Sequence, residues 1–319
     1  MSHISALPIT FAGFPAHDDA ASPAAQIAVI GVPYLSPYPG KKSYDCLNAV
    51  SSIRQASLTY QKLDHFDFDF DGPLLGSPPV HCTDYGNIVR ESESFDDYSQ
   101  SITRAVRDLL TRGTVPVVIG GDHGTTIPVL RAYETIEDLC VVQIDAHLDW
   151  VDERDGVSEG FSSPMRRASE MPYVSSVVQI GLRGQGSARQ KEADDAAACS
   201  KCLLIKAEDL HEQGVTEVLK RIPNVRHYYF TVDADGFDPS IAPGVAYPTP
   251  GGVTYYQLFN LMRGLAGKGV LMGMDFVEVV PENDVANMTS MFAARQILNF
   301  MGVAAHSGQF SGRRSVRPA

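Results

Sequence analysis

The stretch from Val142 to Asp149 reads VQIDAHLD and decides the fold class of this chain of 319 residues. It opens as an apolar run of the kind that a buried parallel strand uses. It then places Asp145, His147 and Asp149 at alternate positions, and alternate residues of an extended segment point to the same side. In an open α/β sheet, ligands bind at the carboxyl ends of the strands. The stretch therefore predicts a parallel strand that ends at a ligand-binding edge.

Two other apolar strands end in the same kind of polar cluster. The run 115–119 is followed by G-G-D-H, which delivers His123, and the strand that ends near Val232 is followed by Asp233 and Asp235. The three clusters together supply two histidines and four aspartates, which is enough for two metal ions that share carboxylates. Carboxylate and imidazole ligands suit Zn, Mn, Fe or Ni and do not discriminate well among them. The sequence thus predicts a binuclear site of divalent ions.

These motifs resemble the three signatures of the ureohydrolase family, which contains arginases, agmatinases and related guanidino-compound hydrolases. The motifs are G-G-D-H at 120–123, D-A-H-L-D at 145–149 and D-A-D-G-F-D-P at 233–239, and the resemblance runs from about residue 26 to about residue 302. It implies that one metal ion is held by four side chains, His123, Asp145, Asp149 and Asp233. It implies that Asp145, His147, Asp233 and Asp235 hold the other ion, with Asp145 and Asp233 bridging. Related deacetylases share the fold but keep only one of these sites, and the complete second set argues against them.

Composition and charge exclude several other classes of protein. The formal net charge of −12 disfavours nucleic acid and anionic membrane surfaces as partners. No apolar run approaches the roughly 18 residues that a membrane helix needs, and residues 1–25 show no signal-peptide pattern. The five cysteines are scattered and odd in number, which is typical of a reducing compartment. We therefore expect a cytoplasmic protein that binds a small molecule.

Strands and helices alternate along most of the chain. Strands are predicted near 27–33, 115–119, 139–145, 176–181, 202–205, 227–233 and 269–276. Helices are predicted near 46–60, 94–113, 125–134, 187–197, 207–221, 253–266 and 286–302. This order favours a single-domain, three-layer α/β/α fold with a mainly parallel sheet, and the resemblance implies the arginase/deacetylase-like version of it. Residues 1–25 are predicted to form an irregular arm before a catalytic domain over 26–319, and residues 66–71 a half-exposed strand with solvated carboxylates.

The chemistry expected of the site follows from its charges. Two dications would balance the four aspartates and would lower the pKa of a shared water toward neutrality. The resulting nucleophile would attack a guanidinium carbon, and Asp149 would orient it and relay its proton to the departing amine. The segment 275–281 resembles the D-x-V-E-x-x-P segment of the family, which implies that Glu278 binds the guanidinium through a planar bidentate pair. The expected products are an amine and urea or a urea analogue.

The sequence departs from the family pattern at three places near the expected pocket. Phe161 stands where agmatinases and arginases place a proton-shuttling histidine, and Tyr247 lies in G-V-A-Y-P where the family reads G-T-G-T-P. The loop from Tyr34 to Lys42 replaces a segment that usually contains Gly and Arg. The two aromatic residues are expected to contact the substrate. Free guanidine, a guanidino acid or a biguanide would therefore suit the pocket better than arginine or agmatine.

Two alternatives to a guanidino-compound hydrolase stay open. One is a formiminoglutamase-like hydrolase, since that branch of the family also lacks the shuttle histidine. The other is a non-catalytic, metal-holding subunit of a mixed oligomer with a paralogous chain, although a complete set of six ligands argues against it. The resemblance implies manganese as the metal, with nickel as an alternative. It also implies a homotrimer or homohexamer.

Overall fold

The computed structural model describes residues 4–5, 8–17, 25–39, 46–90 and 94–311. Its strands are β1 (Ile4–Ser5), β2 (Ile27–Gly31), β3 (Phe66–Asp67), β4 (Gly72–Pro73), β5 (Cys82–Ile88), β6 (Val115–Ile119), β7 (Leu139–Ile144), β8 (Val174–Leu182), β9 (Cys202–Lys206), β10 (His227–Asp233) and β11 (Val270–Val277). Its α-helices are α1 (Ala49–Ser57), α2 (Phe95–Thr111), α3 (Thr126–Arg131), α4 (Pro164–Glu170), α5 (Gln190–Ala198), α6 (Ala207–Arg221), α7 (Tyr255–Ala266) and α8 (Met288–His306).

Within these described ranges, nine of the strands form one sheet in the order β1-β5-β2-β6-β11-β10-β7-β8-β9. The edge strand β1 is antiparallel to β5, and every other neighbouring pair is parallel. The central strands β6 and β10 are mainly apolar and are buried along their whole length, because a parallel sheet is covered by helices on both faces. The predicted mainly parallel α/β fold is confirmed.

Alternate residues of each strand pack into two separate hydrophobic cores. Val117 of β6 packs in a core that includes apolar residues of α1, α6, α7 and α8. Its neighbour Val118 packs on the other face, in a core that includes residues of α2, α3, α4 and α5. The period of two along the strand thus builds three layers, with four of the described α-helices on each side of the sheet.

The sheet order brings the polar strand ends together. The four strands β6, β11, β10 and β7 are consecutive neighbours in the sheet. They run parallel, with Val232 of β10 opposite Ile144 of β7 and Phe276 of β11, and with Phe276 opposite Ile119 of β6. The residues that follow these four strands therefore meet at one edge, as expected for parallel strands.

The prediction of a six-residue strand over 66–71 is wrong. Only Phe66–Asp67 is a strand, paired with Gly72–Pro73 in a small separate sheet. The exposures are also reversed, since Phe66 and Phe68 are 61% and 89% exposed. Arg295 of α8 binds the carboxylates of Asp67 and Asp69 at 2.6 and 2.8 Å. This ion-pair network turns the acidic side chains inward, where the prediction had them solvated.

Two features that matter for the packing of the first 90 residues were absent from the sequence prediction. One is β5, which lies between β1 and β2 in the sheet. The other is the packing of the predicted N-terminal arm, where Phe11 and Phe14 are buried and the N–H of Phe11 donates to Oδ2 of Asp84 at 2.7 Å. The boundary at residue 25 stays a prediction. Among the described residues, every helix is too short or too polar to cross a membrane.

Candidate metal centre

Glycine allows the turn after β6 to carry His123 into the sheet edge. A Cβ on Gly121 would lie 1.9 Å from the carbonyl oxygen of Tyr34, so only glycine fits where these two backbone segments meet. Oδ1 of Asp122 then accepts a hydrogen bond from the N–H of Gly124 at 3.0 Å and caps a short 3-10 turn that begins at His123. This local geometry explains the G-G-D-H motif.

The D-A-D-G motif after β10 is built in a similar way. Oδ1 of Asp233 accepts a hydrogen bond from the N–H of Asp235 at 2.8 Å. A Cβ on Gly236 would lie 2.7 Å from the backbone nitrogen of Asp145. The glycine therefore lets the loop after β10 approach the loop after β7 closely, and this approach brings the two acidic motifs into contact.

Three carboxylates surround one nitrogen of His123. Its Nδ1 atom lies 2.8 Å from Oδ2 of Asp149 and 3.1 Å from Oδ2 of both Asp145 and Asp233. The imidazole is buried, and Nδ1 makes no hydrogen bond with any described residue. Oxygen and nitrogen donors that converge on one buried point are what a metal ion requires. His123, Asp145 and Asp149 can hold one ion.

A second cluster adjoins the first. Nδ1 of His147 lies 3.0 Å from Oδ2 of Asp235 and 3.6 Å from Oδ1 of Asp145. Asp145, His147 and Asp235 form a second group that can hold a metal ion. The two oxygens of Asp145 thus face different histidines. All six predicted ligands lie together, and a shared carboxylate joins the two clusters.

The charges of the site favour bound cations. Burial, together with the charges of Asp149 and Asp235, raises the pKa of Asp145 to about 8. Burial, Asp235 and Asp145 likewise raise the pKa of Asp233 well above its ordinary value. Burial alone would lower the pKa of His123, but the negative charge of Asp149 and the adjacent carboxylates of Asp145 and Asp233 raise it well above its ordinary value. Buried carboxylates that repel one another are stabilised when dications neutralise them, so the residues present fit a pair of metal ions.

Hydrogen bonds behind the two clusters orient the donor atoms. Nε2 of His123 lies 2.9 Å from Oγ1 of Thr231, and that hydroxyl donates to Oδ1 of Asp275 at 2.6 Å. Because the hydroxyl proton goes to Asp275, Thr231 accepts from Nε2–H, which leaves the lone pair of Nδ1 for a metal ion. Gln143 donates to Oδ2 of Asp145 at 2.6 Å. Sequence reasoning missed Thr231 and Gln143, although each lies two residues before an aspartate on the same face of its strand.

A cavity of about 500 Å³ opens onto both clusters. Besides metal-cluster residues, its lining includes the predicted substrate contacts Glu278, Phe161 and Tyr247. Oε1 of Glu278 accepts a hydrogen bond from the N–H of His123 at 2.8 Å, whereas Tyr247 is 57% exposed at the cavity wall. Glu278 and Asp149 have φ values of 62° and 48°. Positive φ is uncommon outside glycine and is often found at functional sites.

The cavity lining also contains a group that the sequence prediction missed. The ring centroids of Tyr38 and Phe161 lie 4.9 Å apart in an edge-to-face arrangement, and we call this pair the aromatic shelf. Cζ of Arg154 lies 5.6 Å from the centroid of Tyr38 and 5.8 Å from that of Phe161. Arg154 and both rings line the cavity. The one sequence signal for Arg154 was its position as the only basic residue of the run D-E-R-D at 152–155.

Comparison with known proteins agrees with this geometry. Residues 25–302 match the model of the Arginase family. The guanidinopropionase of Pseudomonas aeruginosa is 32% identical over 93% of this chain and 92% of its own length. The guanidinobutyrase of the same organism is 30% identical over 70% of this chain and 71% of its own length. The solved structure of proclavaminate amidino hydrolase from Streptomyces clavuligerus has a TM-score of 0.79 and 25% identity, covering 95% of this chain and 98% of that one. The chain therefore belongs to the Arginase family and is a hydrolase of guanidino compounds.

Proposed function

We propose that this chain cleaves a C–N bond of a guanidino compound at a centre of two divalent metal ions, releasing urea or a urea analogue and an amine. The observation that carries the proposal is a pair of histidine–carboxylate clusters, one buried and one largely buried, that share Asp145 and adjoin a cavity lined by Glu278. Together these features provide a site for a nucleophile and a counter-charge for a cationic substrate.

One ion would be held by four side chains, His123, Asp145, Asp149 and Asp233. The other would be held by Asp145, His147, Asp233 and Asp235, with Asp145 and Asp233 bridging. When bound, the two ions would act as Lewis acids and lower the pKa of a shared water. We propose manganese as the metal, with nickel as the alternative, because these donors suit either ion.

Glu278 would bind the guanidinium of the substrate. Burial and the charges of Asp233 and Asp122 raise the pKa of Glu278 well above its ordinary value. A bound cation would therefore stabilise the ionised form of this carboxylate. A guanidinium offers a planar pair of donors that matches a carboxylate. The hydrogen bond from His123 N–H fixes the position of Oε1. The charge and the restrained geometry both support substrate binding by this residue.

Asp149 would move the proton during hydrolysis. Its main-chain oxygen accepts hydrogen bonds from the N–H groups of Met165 and Arg166 at 3.2 and 3.3 Å, which hold the residue at positive φ. Its carboxylate, beside His123, would take a proton from the attacking water and pass it to the departing nitrogen. Phe161 has no proton to exchange, so the transfer falls to Asp149 or to solvent.

Urea release tests the proposal directly. Purified protein would be loaded separately with manganese and with nickel and supplied with a panel of guanidino compounds. We expect urea or a substituted urea from at least one compound. Protein treated with a chelator should give no product, and Asp149→Asn should lose most of its turnover. The absence of product from every compound, with two ions bound per chain, would contradict the proposal and favour a metal-holding subunit of a mixed oligomer.

A formiminoglutamase-like activity is the second candidate, and Phe161 at the histidine position favours it. Formiminoglutamate would be included in the same panel, with formamide as the measured product. The two relatives named above are a guanidinopropionase and a guanidinobutyrase, so we expect guanidino compounds to be the better substrates. Faster release of formamide than of urea would reverse this order.

Assembly and location complete the proposal. We propose a homotrimer or homohexamer, so light scattering of this chain purified alone should give the mass of three or six copies, and the mass of a single copy would favour a mixed oligomer. We propose a cytoplasmic location, because all five cysteines are unpaired, as is usual in a reducing compartment. The acidic net charge of −12 supports a small cationic substrate over nucleic acid or an anionic membrane as the partner.

A further inference from the structure

Arg154 is the only lysine or arginine among the described residues that line the active cavity. The other charged lining residues are acidic and include Asp149, Asp233 and Glu278. Five carboxylates line the cavity in all, at Asp122, Asp149, Asp233, Asp235 and Glu278. An acidic pocket with a single guanidinium is suited to a substrate that carries opposite charges at its two ends.

The aromatic shelf holds Arg154 in place. Its guanidinium lies within 6 Å of both ring centroids, the range in which a cation is attracted to an aromatic ring. The main chain of its loop is closed by two 2.9 Å hydrogen bonds between Arg154 and Val157. The hydroxyl of Tyr38 is hydrogen-bonded to Oγ of Ser162 at 2.7 Å, which fixes one ring of the shelf. Arg154 is thus a positioned side chain, although 35% of its surface is exposed.

The donors of this guanidinium are available. A guanidinium carries five N–H donors in one plane, and contact with an aromatic ring uses none of them as hydrogen bonds to oxygen. Among the described residues the nearest carboxylate is Asp155, 3.9 Å from Nε, and the side chain of Arg154 makes no hydrogen bond with any of them. A bidentate carboxylate partner would complete the geometry that an arginine favours.

We propose that Arg154 binds a carboxylate at the end of the substrate remote from its guanidinium, which makes the chain selective for ω-guanidino acids. This inference rests on the proposed function, in which Glu278 binds the other end. It gives Phe161 a physical role, because a phenyl ring at this position completes the shelf under Arg154. It also predicts that agmatine fits poorly, since its terminal ammonium would face a cation.

Three substrates of matched chain length test the proposal in the metal-loaded enzyme. They are 4-guanidinobutanoate, butylguanidine and agmatine, which end in a carboxylate, a methyl group and an ammonium. We expect kcat/KM to fall in that order. The ratio for 4-guanidinobutanoate over butylguanidine should drop about 10- to 100-fold in Arg154→Gln, as expected for a lost charge-assisted hydrogen bond. Arg154→Lys should give an intermediate ratio, and Arg154→Glu should shift the preference toward agmatine.

Arg263→Gln is the matched control. Arg263 also stacks on a phenyl ring, with Cζ 5.5 Å from the centroid of Phe259, but it lies on α7 and does not line the active cavity. Its substitution should leave the substrate ratio as it is. Equal kcat/KM for the three compounds, or the same ratio in Arg154→Gln as in the parent enzyme, would overturn the inference while leaving the proposed function intact.

If the proposed function fails and none of the three compounds is hydrolysed, measurement of dissociation constants still tests whether Arg154 binds a carboxylate. Calorimetry of the metal-loaded protein would then compare 4-guanidinobutanoate with butylguanidine. We expect the acid to bind about tenfold tighter or more, with this advantage lost in Arg154→Gln. Equal dissociation constants would reject the role of Arg154 independently of turnover.

Discussion

The main-chain N–H of His123 donates a hydrogen bond to Oε1 of Glu278 across 2.8 Å. The N–H of Glu278 in turn donates to the carbonyl oxygen of Gly121 at 2.9 Å. These two bonds tie the carboxyl end of β6 to that of β11. A residue proposed to bind metal and a residue proposed to bind substrate are thereby held at a fixed separation, which a reaction between nucleophile and guanidinium needs.

The first prediction concerns Glu278→Gln. Glutamine keeps an oxygen that can accept from His123 N–H, so we expect the metal content to stay unchanged. It loses the negative charge, and kcat/KM should fall about 10²-fold or more because a charge-assisted bidentate contact is lost. Steady-state kinetics and metal analysis of the same preparation check both expectations.

Glu282→Gln serves as its control. Glu282 lies in the turn that follows, accepts a hydrogen bond from Asn48 at 2.8 Å and does not line the cavity. Its substitution should have little effect on turnover. Full activity of Glu278→Gln with both ions bound would make Glu278 a structural residue and would require a different orientation of the substrate.

The second prediction is that each chain binds two divalent ions. Asp235→Ala opens only the cluster that contains His147, so we expect one ion to be lost while the other and the fold are retained. Asp152→Ala, which removes an aspartate 67% exposed and paired with Arg167, should keep both ions. Elemental analysis after loading with excess manganese or nickel gives the counts, and one ion or none in the parent protein would reject the binuclear centre.

The third prediction concerns Thr231→Val, which removes the hydroxyl between His123 and Asp275 while keeping the shape of the side chain. We expect metal affinity to fall about 10- to 100-fold, the usual effect of losing a partner that orients a ligand. Competition with a chelator measures the affinity. Thr231→Ser keeps the hydroxyl and should bind metal almost as the parent does. Identical affinity in the valine variant would mean that the hydroxyl has no part in orienting His123.

The polar strand ends could be predicted because they follow from regular geometry. The ends of parallel strands meet at one edge, so His123, Asp145 and Asp233 converge there whatever their exact contacts are. The buried strands could also be predicted, because each appears in the sequence as an apolar run. Apart from residues 66–71, the predicted strands are present, with ends displaced by at most one or two residues. A regular strand has a repeating geometry, and this repeat produces a recognisable pattern of apolar and polar residues in the sequence.

Contacts between irregular loops follow no such repeat. Tyr38 and Phe161 are far apart in the chain and meet only because the loops after β2 and β7 pack over the same sheet edge. Nothing in the spacing of either loop indicates that the guanidinium of Arg154 lies close to both rings. The prediction of a half-exposed strand over 66–71 was wrong for a related reason. Arg295, on a helix distant in the chain, determines where the carboxylates of this segment point. Tertiary contacts override local patterns at these positions.

The fourth prediction concerns acid stability through Asp238. Its carboxylate accepts hydrogen bonds from Ser240 and Gly251, and these lower its pKa to about 2. Because the pKa of Asp238 is lower in the folded chain than in the unfolded chain, its ionised carboxylate stabilises the fold at pH values above the ordinary pKa of about 3.9. This contribution is lost as the pH falls toward 2. Because the group is partly exposed, we expect Asp238→Asn to cost only about 1 kcal/mol at neutral pH.

Urea denaturation of both proteins from about pH 7 to about pH 3 measures this difference. The gap between their free energies of unfolding should narrow as the solution becomes more acidic, because the carboxylate of the parent then becomes protonated in the unfolded chain. A gap that stays constant with pH would assign the effect of the substitution to lost packing and exclude the charge of Asp238 as its cause.

The last prediction concerns Phe161. Its ring packs edge-to-face on Tyr38 and beside Arg154. The ring cannot carry a proton, and the adjacent guanidinium of Arg154 repels a terminal ammonium. We therefore expect agmatine and arginine to be poor substrates. Phe161→His alone should not produce strong agmatinase activity, because Arg154, Tyr38 and Tyr247 would still line the cavity. Kinetics of both proteins on agmatine and on smaller guanidino compounds provide the test. A kcat/KM for agmatine of about 10⁴ M⁻¹s⁻¹ or more, ahead of every smaller compound, would show that the enzyme is an agmatinase that works without the histidine.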